Sequence, residues 1–253
     1  MTEDQLKTGE EKLEGKLGLS AARYADDLTI LRKLKALGLE ANHICNIGGS
    51  NRMWSVMCDL VYPGAIHQIF DLLVNKPEGD ELETEPSQSS SLMDSERCHF
   101  HAVSLGARIS EIGFSGFQGS VAGMTNDSPH EPRNTKAMEI PFYLLDDYYS
   151  QRALPLPDII KLDGTGAELE VMEGAGDILK HASAVVCDCW LFRGSDPKTP
   201  TWLEIANTLA NYDFHLFEFG RIDRRPADQR AMTVCMVFLK RSLPFSPLRN
   251  FSP

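Results

Sequence analysis

Apolar positions along this chain follow two spacings, and the way they alternate outlines an α/β architecture. From Ser20 to Leu37 the stretch has helical period, with Leu28, Leu31, Leu34 and Leu37 in one stripe. Gly38 follows in the position of a left-handed cap. His43–Ile47 reads as a first strand and Gly48-Gly49-Ser50 as the turn after it. Met53–Val61 is a helix, closed by Tyr62-Pro63-Gly64, and Ala65–Phe70 is a second strand ending on Asp71. Cys98–Leu105 reads as one further strand, and Ile140–Ser150 as a short strand with a turn of helix.

The continuous apolar run Ile159, Ile160, Leu162 marks a strand buried on both faces. It delivers Asp163 to its carboxyl end, and one helix is expected over Ala167–Lys180. Ala184–Leu191 is a strand, Thr201–Tyr212 an amphipathic helix, His215–Phe219 a strand and Met232–Leu239 a last strong strand. The final two strands are joined by Arg and Asp residues without a helix, which predicts an antiparallel hairpin. A doubly wound, mostly parallel sheet with helices on both faces is therefore expected.

Composition sets boundaries on this picture. The 253 residues, 42% of them hydrophobic, fit one domain with ample core. Residues 1–19 read as a flexible tail, 20–243 as the domain and 244–253 as a second tail. Within the domain, 72–95 is an acidic, Ser-rich excursion, with five carboxylates between Glu78 and Glu85. Segments 111–123 and 125–135 are Gly-rich or polar and read as irregular. No apolar run reaches the length of a membrane span, and the polar start lacks a signal-peptide pattern, so a cytoplasmic location is expected. The six cysteines form no C-x-x-C pair and are expected to be buried free thiols. A net charge of −11 argues against nucleic acid as a partner. The patch Arg221, Arg224, Arg225, Arg230 reads as a solvated loop, or else as a contact for an acidic group on a substrate.

Candidate chemistry gathers at strand ends. In an open parallel sheet, ligands bind beyond the carboxyl ends of the strands. Gly48 and Gly49 let backbone approach a ligand closely where a strand turns into a helix. Asp71, about twenty residues further on, can accept hydrogen bonds from both hydroxyls of a ribose. Together they suggest a nucleoside-containing cofactor; without a G-x-G-x-x-G, a nicotinamide or flavin is disfavoured. Asp163 is either a ligand-orienting carboxylate or the cap of the helix after it. Lys161 reads as a surface or salt-bridge lysine and Asp188 as a second site candidate or a buried hydrogen-bonded Asp. His99 and His101 alternate on one strand without a third metal ligand in view, and His43 reads as structural. His215 is a possible general base, since an unperturbed imidazole titrates near neutrality, but nothing locates it in a cleft. Trp54 reads as core, and Trp190 and Phe192 as core or as the wall of an apolar pocket.

The segment Pro157–Ala175, PDIIKLDGTGAELEVMEGA, resembles the hallmark of the FkbM-type S-adenosylmethionine-dependent methyltransferases, I-K-I-D-V-E-G-x-E-x-x-V-L-x-G. Leu145-Asp146-Asp147-Tyr148 resembles the family's L-D-D-Y element, and Asn46–Ser55, NIGGSNRMWS, its D-x-G-A-N-x-G-x-x-S cofactor loop. Phe70-Asp71 resembles its Phe-Glu and Ala102-Val103-Ser104 its third-strand tail, so the likeness spans roughly residues 20–240. The chain departs from the pattern at Asn46, Ser50, Arg52 and the Gly164-Thr165 pair, which stands where the family has Val-Glu.

The resemblance implies a Rossmann-like class I methyltransferase with a mostly parallel seven-stranded sheet and a C-terminal antiparallel hairpin. It implies S-adenosyl-L-methionine as cofactor, held by Asn46, Gly48, Gly49, Ser50, Asp71 and Asp163. Asp163 and Asp188 are the catalytic candidates, and no metal is required. The implied reaction is O-methylation of a small-molecule hydroxyl, on a sugar or a secondary metabolite. The alternative is a non-catalytic methyltransferase-fold protein acting as a binding or adaptor module, with 78–91 as its docking segment. A nucleotide-sugar or dinucleotide enzyme ranks last.

Overall fold

The structure, a computed structural model, describes residues 25–49, 53–71, 96–106, 142–164, 166–193 and 198–244. Both tails (1–19 wholly, 244–253 but for its first residue), the 72–95 excursion, segments 111–123 and 125–135, and Ser50, Arg52 and Thr165 lie outside the described residues.

The elements are α1 (Ala25–Ala36), β1 (His43–Ile47), α2 (Met53–Val61), β2 (Ile66–Phe70), β3 (Cys98–His101), β4 (Ser104–Leu105), β5 (Phe142–Tyr143), α3 (Leu145–Gln151), β6 (Ile159–Leu162), α4 (Glu168–Glu173), α5 (Gly176–His181), β7 (Ala184–Trp190), α6 (Trp202–Ala210), β8 (Phe214–Arg224) and β9 (Ala231–Lys240). Seven strands form one sheet in the order β3-β2-β1-β6-β7-β9-β8. The first five are parallel; β9 enters antiparallel between β7 and β8. This is the Rossmann-like, mostly parallel seven-stranded sheet with a C-terminal antiparallel hairpin that the resemblance implies, reversed seventh strand included.

Strand alternation distributes the core to two faces. Ile160 and Leu162 of β6, with Val185 and Cys187 of β7, pack under α3–α6. Ile44, Ile159, Ala184 and Val186 face α1 and α2. Each of the larger aliphatic side chains buried there contributes about 1.5–3 kcal/mol. By the same parity Asn46, Lys161, Asp163 and Asp188 fall on the α1–α2 side, continuing β1, β6 and β7 toward their carboxyl ends. All six cysteines are free and buried, and among the described residues no helix is long and apolar enough to cross a membrane.

Four sequence expectations are corrected. The stretch 98–105 is two strands: β3 ends at His101, and β4 pairs with β5 in a separate small sheet. The helix expected over 167–180 is broken into α4 and α5 at Gly174. A Cβ at Gly174 would stand 2.6 Å from the Gly106 carbonyl oxygen, so the chain approaches its neighbour too closely for a side chain. The second helix starts because the Asp146 carboxylate accepts the Asp177 and Ile178 amides, at 2.9 and 3.0 Å. This gives the acidic pair before Tyr148 a structural purpose. The eighth strand runs from Phe214 to Arg224, well past Phe219; charges at Glu218, Arg221 and Asp223 mask an edge strand. Arg221 is accordingly a strand residue with 13% of its side chain exposed, and not part of a solvated loop.

Candidate functional site

The strand order reverses between β1 and β6, which opens a crevice at their carboxyl ends. Gly48, just past β1, has φ +80°, a conformation that L side chains seldom adopt. Its amide donates to the Phe70 carbonyl at 2.9 Å, tying the turn to the end of β2. The Asn46 side chain is wholly buried beneath this turn. Its Nδ2 donates to Ser55 Oγ of α2 at 2.8 Å, and a Cβ at Gly49 would meet that same amide at 2.3 Å. Asn46 therefore braces the turn against α2, and Gly49 is glycine because Asn46 fills the space beside it.

A cavity of about 290 Å³ lies at this crevice, walled by Gly48, Trp54, Asp163, Gly164 and a set of charged side chains. Asn46 and Asp71 are not on its wall. Asp71 stands half-buried at the end of β2, where its amide donates to the His101 carbonyl at 3.1 Å. Trp54 is core, as expected, at 4% exposed, and it also forms part of the wall.

The centre of the cavity is a chain of ion pairs. Lys161, 1% exposed, donates through Nζ to Asp163 Oδ1 at 2.5 Å, Asp188 Oδ2 at 3.0 Å and its neighbour Leu162's carbonyl at 3.1 Å. Arg221 continues the chain, donating through Nη2 to Asp188 Oδ2 at 3.1 Å, through Nη1 to Asp27 Oδ2 at 2.7 Å and through Nε to Asp223 Oδ2 at 3.0 Å. Thr233 of β9 adds a hydroxyl near Asp223, at 3.4 Å.

These surroundings set the protonation states. Burial would lower the Lys161 ammonium, but Asp163 and Asp188 overcome it and hold it well above its ordinary value. Burial raises Asp163, and Lys161 only partly offsets it. Burial also opposes ionisation of Asp188, yet Lys161 and Arg221 together bring its carboxyl down to about 2. Asp27, 3% exposed, is raised by burial against the pull of Arg221.

Among the sequence candidates, Gly48, Asp163 and Asp188 share this cavity, Gly49 follows in the turn that borders it with the Asn46 side chain packed beside it, and Asp71 stands one strand away. Asp163 does not cap α4, whose N-cap Ala167 makes no side-chain cap bond; Glu168 accepts the Gly166 amide at 2.9 Å instead. Lys161 is the buried salt-bridge lysine. His101 is engaged on both nitrogens, with Tyr148 at 3.0 Å and Gln68 at 2.7 Å. Among the described residues no group of three or more His, Cys, Asp or Glu is placed to hold a metal. His215 lies at the start of β8, the end of the sheet away from the cavity. Trp190 donates to the Gly164 carbonyl at 3.3 Å, while the Phe192 ring lies under Arg230, 4.2 Å from its guanidinium.

Sequence reasoning missed Asp27, Asp223 and Thr233. A signal existed for the first: Asp27 precedes Ile30, Leu31 and Leu34 at helical spacing, so a carboxylate occupies the apolar stripe of α1. Arg221 was visible only as one member of a basic patch.

No family model and no curated protein matches the chain. Among solved structures it is similar to methyltransferase FkbM from Methylobacillus flagellatus KT, at 14% identity over 92% of this chain and 59% of that one, with a TM-score of 0.46. It is similar to the N-methyltransferase NodS from Bradyrhizobium japonicum WM9, at 10% identity over 87% and 97%, TM-score 0.44. A third is magnesium protoporphyrin IX methyltransferase from Synechocystis PCC 6803 with bound SAM, at 10% identity over 88% and 84%, TM-score 0.41.

Proposed function

We propose that this chain is an S-adenosylmethionine-dependent methyltransferase, with a single catalytic domain over 20–243, that methylates a hydroxyl of a small molecule such as a sugar or secondary metabolite. The observation that carries the reading is the meeting of the Gly48 turn and Asp163 at the switch point of a class I sheet, with Asp71 ending the next strand. The residues present fit the cofactor. The cavity wall sets four carboxylates (Asp27, Asp163, Asp188, Asp223) against the two cations Lys161 and Arg221, a surface suited to a sulfonium and an ammonium.

In this reading Asp71 accepts the ribose hydroxyls and the Gly48-Gly49 backbone, braced by Asn46, borders the methionine end; Ser50, a cofactor candidate of the sequence, lies outside the described residues. When bound, the cofactor supplies an electrophilic methyl group on a sulfonium. The protein's part is alignment of the acceptor oxygen and removal of its proton. Asp163 orients the acceptor or the cofactor's ammonium, and Asp188 is held ionised behind it.

Calorimetric titration with S-adenosylmethionine and S-adenosylhomocysteine, on the wild type and on Asp71→Ala, tests the cofactor reading. Micromolar binding, about −8 kcal/mol, is expected. Asp71→Ala should weaken it tenfold to a hundredfold, since a charged hydrogen bond is worth about 1.5–3 kcal/mol. Absence of binding to either ligand would overturn the reading. Normal binding without turnover on any hydroxyl acceptor would favour the binding-module alternative, toward which the full engagement of Lys161 with Asp163 also leans.

A further inference from the structure

The geometry points to Arg221 as a positioning residue of the candidate site: anchored by Asp27 and Asp223, it keeps Asp188 ionised, so that Asp163 is the member of the pair that exchanges a proton with a ligand. This rests on the reading that the Asp163–Asp188 pair faces a bound ligand.

Three features are built around this guanidinium. First, β8 carries one extra residue here. Phe219 pairs with Met236 and Ile222 with Val234, so Gly220 and Arg221 together oppose Cys235. Such a bulge re-aims a side chain, and bulges recur beside active sites. Second, α1 approaches the bulge closely. A Cβ at Gly220 would stand 2.8 Å from Asp27 Oδ1 and 3.0 Å from Ile30 Cδ1, so only glycine admits the helix. Asp27 then receives both the Arg221 side chain at 2.7 Å and its backbone amide at 3.3 Å. Third, the planar fork is held by three separate carboxylates, which fixes its orientation in advance.

The consequence is an asymmetry between two carboxylates that share one lysine. Asp163 and Asp188 both take the Lys161 ammonium, so they titrate as a pair. Among the described residues, Asp188 has two cations on the same oxygen, from β6 and from β8, and Asp163 has one. Other groups around them, among the described residues, include Asp27 of α1, Asp223 of β8 and the buried thiols of Cys58 on α2 and Cys235 on β9. Both thiols are held neutral by burial. A second cation on Asp188 alone leaves the pair's proton on Asp163.

The test is a carboxyl titration by NMR on the full chain labelled with ¹³C-aspartate, without cofactor, with Asp163→Asn and Asp188→Asn used for assignment. In the wild type Asp188 should remain ionised below the ordinary carboxylate midpoint of about 3.9, and Asp163 should titrate above it. Arg221→Met should make Asp188 at least about tenfold weaker as an acid and move the Asp163 midpoint with it. Arg221→Lys, which keeps the charge and loses the fork, should fall between. A merely structural arginine would lower the melting temperature and leave both midpoints in place. Wild-type midpoints in the opposite order, or midpoints unmoved in a folded Arg221→Met, would overturn the proposal. If Arg221→Met does not fold, the wild-type order and Arg221→Lys decide. Because the titration needs no cofactor, a failed calorimetric experiment removes the methyltransferase reading and leaves this one testable. Unmoved midpoints with intact cofactor binding remove the role of Arg221 alone.

Discussion

Replacing Lys161 by Met leaves a residue of similar length with no charge at the centre of the site. Lys161 is 1% exposed and its three donors go to Asp163, Asp188 and the Leu162 carbonyl. Removing one partner of a buried ion pair costs about 3–5 kcal/mol, because the remaining charge is left uncompensated. Arg221 still reaches Asp188, so the larger share of the loss falls on Asp163. The two carboxyls can relieve it by taking up protons, which gives the loss a direction in pH. Their native proton affinity then exceeds that of the unfolded chain, so stability falls as pH rises, by up to about 1.4 kcal/mol per unit for each group. The deficit relative to wild type should therefore be larger at pH 8 than at pH 5. Urea denaturation at both pH values, with linear extrapolation, measures it. A deficit under about 1 kcal/mol at pH 8, or one equal at both values, would refute the argument that Lys161 neutralises a buried carboxylate pair.

His67 is fully buried in β2, neither ring nitrogen has a hydrogen-bond partner among the described residues, and burial brings its pKa down to about 4. The unfolded chain then binds a proton that the native state does not between pH 6.5 and 4, so stability is lost as pH falls through that window, by about 3 kcal/mol in total. His67→Leu should flatten this acid limb in urea melts at pH 7 and 4.5; an unchanged acid slope would show that another group produces it. Gly49→Ala should cost about 1–3 kcal/mol, since its Cβ meets the pinned Asn46 amide at 2.3 Å. The double variant with Asn46→Ala should recover part of that loss in thermal melts, as expected for two side chains competing for one space. Additive losses would mean that the two residues do not share it.

Much of the fold can be read along the chain because it depends on local pattern. The buried run Ile159–Leu162 marks a central strand wherever it is packed, and the long strand pair at the end needs no helix between its members. The same holds for the Gly48 turn and for Asp163, whose placements follow from a strand ending and a helix beginning. What the chain could not disclose arises where segments distant in sequence meet. The break at Gly174 depends on the close approach of Gly106, and the start of α5 on a carboxylate thirty-one residues earlier. The ion-pair chain joins Asp27, Lys161, Asp188 and Arg221 across almost two hundred residues, Arg221 standing 194 positions after Asp27. Periodicity reports which face a residue occupies, never which charge will stand opposite it. The charges of the cavity were therefore visible singly, as a carboxylate in an apolar stripe or one arginine of a basic patch. Only packing α1 against a bulged β8 made them a site, because a buried charge takes its meaning from the partner that tertiary structure brings within 3 Å.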